Sequence, residues 1–311
     1  MTGTQHFLSS RWTTLFHRDN LSSCNGFTNS IPGRLSMSGR QFFRQVLPVL
    51  VFSLTVAAVT AAAQYTKQEY EPQVGQEGKD VVWVPTPQAL VDKMLDMAKA
   101  TPKDYVIDLG SGDGRTVITA AKRGIRAHGI EYNPDMVELA KRNAAKEGVS
   151  DKATFAKADL FASDFSKATV LTLFLLPEIN LKLRPKILNL KPGTRIVSNT
   201  FDMENWEPDE SATVDEGCSN WCTAHLWIVP AKAQGTWRLA QGELRLKQTF
   251  QKISGTLNAG GKTASITGGK LNGDRITFSA AGVQYSALVN GNAMAGSLSS
   301  GGTWKATRTA R

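Results

Sequence analysis

The sequence predicts an α/β domain with a mostly parallel sheet, followed by a small all-β barrel or sandwich. Three observations carry this. Between Val81 and Pro230, short apolar runs alternate with segments of helical spacing, the pattern of helices packed on both faces of a parallel sheet. After Pro230 that periodicity stops, and residues 233–311 hold 13 glycines spread between short alternating runs, as in a strand meander. The chain has 311 residues, room for about two domains.

The elements follow in order. Arg40 and Arg44 precede an apolar run, residues 46–63, that ends in three alanines. Basic region, apolar region and small-residue cleavage site are the parts of a secretory signal peptide. A start at Met37 gives such a signal an ordinary length. Residues 1–36 then read as an upstream extension, 37–63 as a signal peptide or membrane anchor, and 64–80 as a linker. The run's 18 residues just reach across a bilayer if uncleaved, and the preceding arginines direct the remainder out of the cytoplasm. Export to a bacterial periplasm, or anchoring with membrane contact through residues 46–63, is therefore expected. The Arg- and Ser-rich, acid-poor leader also fits a mitochondrial transit peptide.

In the domain spanning residues 81–232, "ALVDKMLDMAKA" has helical spacing, "YVIDLG" reads as a buried strand, and "GRTVITAAKRG" as a helix closed by Gly124. A second strand, "RAHGIEYN", leads to a helix with Pro134 in its first turn and Gly148 at its end, both favoured places. "ATFAKADL" and "ATVLTLFLL" read as third and fourth strands, "INLKLRPKILNL" as a helix kinked at Pro185, "RIVSN" as a fifth strand and "AHLWIVPA" as a late one. Ligands of such sheets bind beyond the carboxyl ends of the strands, where Asp108 and Glu131 fall.

The first strand–helix turn carries Gly110, Gly112 and Gly114, with Arg115 where a dinucleotide fingerprint wants its third glycine. Asp113 also stands where a pyrophosphate would need bare N–H groups. S-adenosylmethionine (SAM) has no phosphate but carries a sulfonium and an ammonium, which carboxylates favour. Its approach still needs backbone without Cβ. Glu131 is placed to accept the ribose hydroxyls, and Asp159 to meet the adenine amino group.

These residues resemble a known family. "DLGSGDGR", "GIEYNP", "KADLF" and "GTRIVSNTFDMENWEPD", with "WVPTP" upstream, are similar to the class I SAM-dependent methyltransferases. They are most similar to the lysine methyltransferases of mitochondria that act on the adenine nucleotide translocase and the ATP synthase c-subunit, and to their bacterial relatives. The likeness covers roughly residues 81–230. It implies a Rossmann-like class I methyltransferase sheet, SAM as cofactor, and a lead-in segment closing over it. Pro85, Thr86, Asp108, Gly110, Ser111, Gly112, Asp113, Gly114, Glu131, Asp159 and Leu160 are the implied cofactor residues. The mitochondrial members lack a basic tail domain.

The resemblance implies a protein substrate and a lysine acceptor. "LFLLPEIN", after the fourth strand, lacks the Asn-Pro-Pro-aromatic tetrapeptide that holds planar nitrogens of nucleic-acid bases. Phe174, Leu176 and Pro177 are expected to wall an apolar channel. Glu178 either orients an ammonium or starts a solvated helix. Asn199, Phe201 and Trp206 are candidates for the acceptor side, with packing the alternative for Trp206. No residue reads as a general base. RNA or small-molecule methylation, and SAM binding without catalysis by an exported protein, are the competing functions.

Cys218 and Cys222, in "CSNWC", form either a disulfide of an oxidising compartment or two thiols. No metal site is expected, since His128 and His225 are the sole histidines past the leader and no second cysteine pair exists. The chain carries 36 basic and 27 acidic residues, but residues 233–311 hold ten basic and two acidic. That asymmetry suggests an anionic surface as partner of the tail; solubility alone is the plainer reason. Seven or eight short strands fit the tail, with Trp237 and Trp304 near its two ends plugging the core or packing where the ends meet. The tail is thus either a binding module or a stabilising appendage.

Overall fold

The computed structural model describes residues 69–240 and 242–310. The leader and the first part of the linker lie outside the described residues. Among the described residues, no helix is long and apolar enough to cross a membrane.

The first domain begins with α1 (Gln88–Met97), which buries Leu90, Val91, Met94 and Leu95 on one face. There follow β1 (Tyr105–Leu109), α2 (Arg115–Lys122), β2 (Arg126–Glu131), α3 (Pro134–Lys146) and β3 (Ala153–Lys157). Asn133 caps α3, its side chain accepting a hydrogen bond from the Asp135 N–H, and Pro134 occupies the first turn. Then come β4 (Val170–Leu173), α4 (Pro177–Ile187), β5 (Arg195–Asn199), β6 (Glu210–Thr213) and β7 (Thr223–Ile228). The α4 helix contains Pro185 and starts at Pro177, two residues earlier than its apolar spacing indicates.

The seven strands lie in the order β3-β2-β1-β4-β5-β7-β6. The first five run parallel, and β7 runs antiparallel to β5 and to β6. Chain direction across the sheet reverses between β1 and β4, and the crevice at such a switch point is where ligands bind. Two apolar layers flank the sheet. One contains Leu90, Val106, Val117, Val137 and Val197; the other contains Ile107, Leu109, Phe165, Leu183 and Trp227. Strand β6 has no counterpart in the sequence reading. Its "ESAT" is largely exposed at the sheet edge, so it carries no apolar alternation to read.

The second domain holds nine strands: β8 (Gly235–Leu239), β9 (Gly242–Thr249), β10 (Lys252–Ala259), β11 (Lys262–Ser265), β12 (Thr267–Asn272), β13 (Arg275–Ala280), β14 (Val283–Asn290), β15 (Ala293–Leu298) and β16 (Thr303–Ala310). Eight close into an antiparallel barrel in the order β10-β12-β13-β14-β15-β16-β8-β9, with β9 returning to β10 and β11 flanking β10. Closure removes the sheet edges. Trp237, Leu244, Leu271, Ile276, Phe278 and Met294 fill the interior. Trp304 stands edge-on to Phe278 and Tyr285, at ring-centre distances of 6.0 and 5.5 Å. Both tryptophans therefore plug the barrel.

The barrel docks on the loop before β6. Phe250, in the β9–β10 turn, stacks on Trp206 at 5.7 Å. Gln251 donates to the Glu207 carbonyl at 2.8 Å, and Lys252 and Lys270 pair with Glu207 and Asp209. Trp206 is fully buried, and its backbone carbonyl accepts the Trp227 indole N–H at 2.6 Å. It is therefore a packing residue and does not line the acceptor side. The polar company of "MENWEPD" hides this, because the residues burying Trp206 come from β7 and the barrel.

Candidate active site

The crevice at the β1–β4 switch point is a cavity of about 550 Å³, within the ordinary range for a small-molecule site. Its floor is the glycine turn. Gly110, Gly112 and Gly114 all have positive φ. A Cβ on Gly112 would lie 2.6 Å from the Trp83 indole nitrogen, and one on Gly114 would lie 2.8 Å from the Phe155 ring. The turn is thus held against the lead-in segment on one side and the β3 core on the other. Asn143 of α3 ties it down further by donating to the Asp113 carbonyl at 3.0 Å.

Three carboxylates surround this turn, each at or just past a strand end. Asp108 is almost wholly buried and accepts a 2.6 Å hydrogen bond from the Thr172 hydroxyl. Burial pushes its carboxyl up to about 7; the Thr172 bond opposes the rise, and the neighbouring Glu131 and Asp113 reinforce it. Glu131 accepts from the Gly112 N–H through one oxygen and from the Asn133 N–H through the other, both at 2.9 Å. Asp159 accepts from the Phe161 N–H at 2.8 Å. It also pairs with Lys79 at 2.6 Å, and the Lys79 hydrogen bond holds its carboxyl below the usual range.

Asp113 differs from the sequence expectation of a free anion beside the ligand. Arg115 grips it through two nitrogens, at 2.6 and 3.1 Å, and also donates to the Thr86 carbonyl at 2.9 Å. The pair is a strut between the turn and the lead-in segment.

That segment roofs the cavity. Gly75 and Trp83 exchange backbone bonds across a short hairpin, Gly75 N–H to Trp83 carbonyl at 2.8 Å and Trp83 N–H to Gln76 carbonyl at 2.9 Å. Residues 76–86 all line the cavity, including Pro85 and Thr86, as do Ser111 and Leu160. Lys79 reaches from the roof to Asp159 and lies 4.9 Å from the centre of the Tyr132 ring. The resemblance implies such a closing segment and its motif begins at Trp83, but sequence reasoning assigns no role to Lys79 or Tyr132, because nothing in the linker's composition marks them.

At the far end the lining is apolar: Leu173, Phe174, Leu175, Leu176, Ile179, Phe201 and Trp221. Phe174, Phe201 and Trp221 touch one another, with ring centres 5.5 to 6.3 Å apart. Pro177 and Glu178 instead begin α4 outside the lining, and Glu178 is exposed. Asn199 is fully buried and donates to the Thr86 hydroxyl at 3.3 Å; it steadies the lead-in segment from behind the cavity. Trp221 is a further lining residue that sequence reasoning does not find. It sits inside the Cys218–Cys222 disulfide, which resolves the alternative that the cysteines left open. Trp221 and Thr200 both have positive φ, 60° and 59°. For residues with a Cβ each such conformation costs roughly 1–3 kcal/mol, and such costs gather at functional sites.

The cavity fits SAM. Carboxylates crowd the end where the turn lies bare of Cβ, and the two basic side chains there, Arg115 and Lys79, are already paired. No His/Cys/Asp/Glu cluster suited to a metal occurs among the described residues.

Comparison with known proteins agrees. The family model of the ANTKMT methyltransferase domain matches residues 108–210. A protein-lysine N-methyltransferase of Saccharolobus islandicus is 43% identical over 152 residues, which are 48% of this chain and 94% of that one. The human lysine N-methyltransferase of the ATP synthase c-subunit is 34% identical over 128 residues, covering 41% of this chain and 54% of the human protein. Mouse adenine nucleotide translocase lysine N-methyltransferase is 33% identical over 147 residues, 47% of this chain and 61% of its own. A crystal structure titled RNA methyltransferase from Salinibacter ruber, in complex with S-adenosyl-L-homocysteine, is 46% identical over 48% of this chain and 95% of that chain, with a TM-score of 0.45. The chain belongs to the class I SAM-dependent methyltransferases, in the family that carries the ANTKMT methyltransferase domain.

Proposed function

We propose that this enzyme methylates the side-chain amine of a protein lysine. The observation that carries the reading is the cluster of Leu173, Phe174, Leu175, Leu176, Ile179, Phe201 and Trp221 in the cavity lining, apolar and aromatic and without a planar-amide recognition motif. The names of the lysine methyltransferases matched over the same domain support it.

When bound, SAM would supply an electrophilic methyl group to the lone pair of a neutral amine, its sulfur keeping the electron pair of the bond that breaks. The chain's own residues then have three tasks. Asp108, Glu131, Asp159 and the glycine turn hold the donor at the sheet end. The roof formed by residues 76–86 excludes water and fixes alignment, which supplies much of the rate in such transfers. Phe174, Leu176 and Phe201 desolvate the incoming amine. A lysine amine in water has a pKa of about 10.4, and an apolar channel favours its neutral form, so no dedicated base is required.

The Cys218–Cys222 disulfide and the leader together support work in an oxidising compartment, exported or membrane-anchored. The barrel's exposed Arg238, Arg245, Lys247, Lys262, Arg275 and Lys305 support an anionic surface as its partner. The acceptor is tested by incubating the full chain with methyl-labelled SAM and two lysates, one untreated and one with its lysines acetylated. Labelled protein in the first and none in the second is expected. Equal label in both, or label removed by nuclease, would overturn the lysine reading.

A further inference from the structure

We propose that Phe174, Phe201 and Trp221 form a cation-binding rim for the nitrogen of the acceptor lysine, selective for its methylated states, and that the Cys218–Cys222 disulfide holds Trp221 in place. This rests on the lysine reading above.

The three rings come from separate parts of the chain. Phe174 follows β4, Phe201 follows β5, and Trp221 lies in the loop before β7. They nevertheless make one continuous aromatic surface, with ring centres 6.1, 6.3 and 5.5 Å apart. None is a core residue. Phe174 and Phe201 are half-buried, and Trp221 is 44% exposed at the cavity opening. Such an arrangement leaves large apolar area wet, and a ligand that covers it recovers that area.

The chemistry of the rim selects what covers it. A tryptophan or phenylalanine face attracts a cation. The lining residues that flank Phe174, namely Leu173, Leu175, Leu176 and Ile179, are apolar and cannot pair with one. A plain ammonium is compact and strongly hydrated, and leaving water for aromatic faces alone suits it poorly. Methyl groups weaken that hydration and add apolar contact, so mono-, di- and trimethyl-lysine suit the rim progressively better. The rim would then hold the methylammonium left by one transfer, and a further transfer follows once that nitrogen has released a proton to solvent.

The backbone is built to present the third wall. Trp221 and Thr200, the residue before Phe201, both hold left-handed conformations that side chains with a Cβ rarely adopt. Thr200 is locked by its N–H bond to the Thr223 carbonyl at 2.7 Å, one residue past the second cysteine. The disulfide closes the short loop around Trp221, so reduction frees the tryptophan while leaving the glycine turn untouched.

The test is calorimetric and needs no turnover. The full chain, without SAM, is titrated with a peptide carrying Nε-trimethyl-lysine and with its neutral isostere, in which carbon replaces the charged nitrogen. The cationic peptide should bind about tenfold more tightly. Trp221→Ala should remove that preference, Trp221→Phe should keep part of it, and Cys218→Ser with Cys222→Ser should weaken it. Circular dichroism should be unchanged for all three variants, since Trp221 is outside the core. Equal binding of the two peptides, no binding of either, or an unaltered preference in Trp221→Ala would overturn the proposal. If lysine is labelled in the acetylation experiment while the preference is absent, the rim alone fails. If the label goes elsewhere while the preference is present, the lysine reading fails and the rim binds a cation of another source.

Discussion

Replacing Asp108 by Asn should stabilise the ligand-free fold at high pH while weakening its cofactor site. Asp108 is almost fully buried, and its carboxyl is pushed from an ordinary 3.8 to about 7. The native state therefore holds a proton that the unfolded chain releases. As pH rises from about 4 to about 7, the unfolded state gains a favourable ionisation that the native state resists, so the native fold loses stability through that window. A displacement of roughly three pH units, at about 1.36 kcal/mol each, amounts to about 4 kcal/mol. An asparagine at this position cannot ionise, and its side-chain oxygen can still accept from Thr172. Urea unfolding of wild type and Asp108→Asn at pH 4.5, 6 and 8 measures the difference directly. Asp108→Asn should gain only about 1 kcal/mol over wild type at pH 4.5 and up to about 4 kcal/mol at pH 8. Every other titrating group is common to both proteins, so the pH dependence of the difference belongs to residue 108. A difference that does not vary with pH, or a variant less stable than wild type at pH 8, would refute the reasoning.

Three further outcomes are expected. SAM affinity of the wild type should rise between pH 6 and 8, because the ionised Asp108 attracts a cationic donor; calorimetry at the two pH values checks it, and Asp108→Asn should lose that dependence. Gly114→Ala should lower stability by roughly 2–5 kcal/mol in chemical denaturation, combining a left-handed φ of 83° with overpacking against Phe155 and Ala140. Trp206→Ala should cost about 3–5 kcal/mol and leave SAM affinity within about threefold of wild type by calorimetry, because Trp206 joins the sheet core to the barrel and does not reach the cavity.

The donor half of the site is legible in sequence because its signals are local. A strand, three glycines and a helix follow one another within 18 residues, 105–122, and each acidic residue lies at or just past the end of a strand. The acceptor half is legible only in part: Phe174, Leu176 and Phe201 are read from the sequence and line the cavity, but Trp221 is not, because the wall is assembled by tertiary contact. Phe174, Phe201 and Trp221 are separated by 27 and 20 residues, and the order of β4, β5 and β7 in the sheet brings them together. Asp113 is a related case: its formal charge is read from sequence, but in the structure that charge is paired with Arg115 beside the cavity that both line. Trp206 misleads because its neighbours in sequence are polar while its neighbours in space are Trp227 and Phe250. The barrel's strand count comes out close because turn glycines and alternating runs mark each hairpin. Its closure is not readable, since the β8–β16 pairing joins the two ends of the domain. The signal that points to Trp221 is a tryptophan enclosed by two cysteines four residues apart.

The measurement that tests the central claim most directly is the chemical identity of the methylated product. The full chain and Asp108→Ala are each incubated with methyl-labelled SAM and a fractionated lysate, and the labelled material is hydrolysed and resolved. The account predicts label as Nε-methylated lysine with the wild type and none with Asp108→Ala. Label recovered as a methylated nucleotide, or on arginine or glutamine, would contradict it.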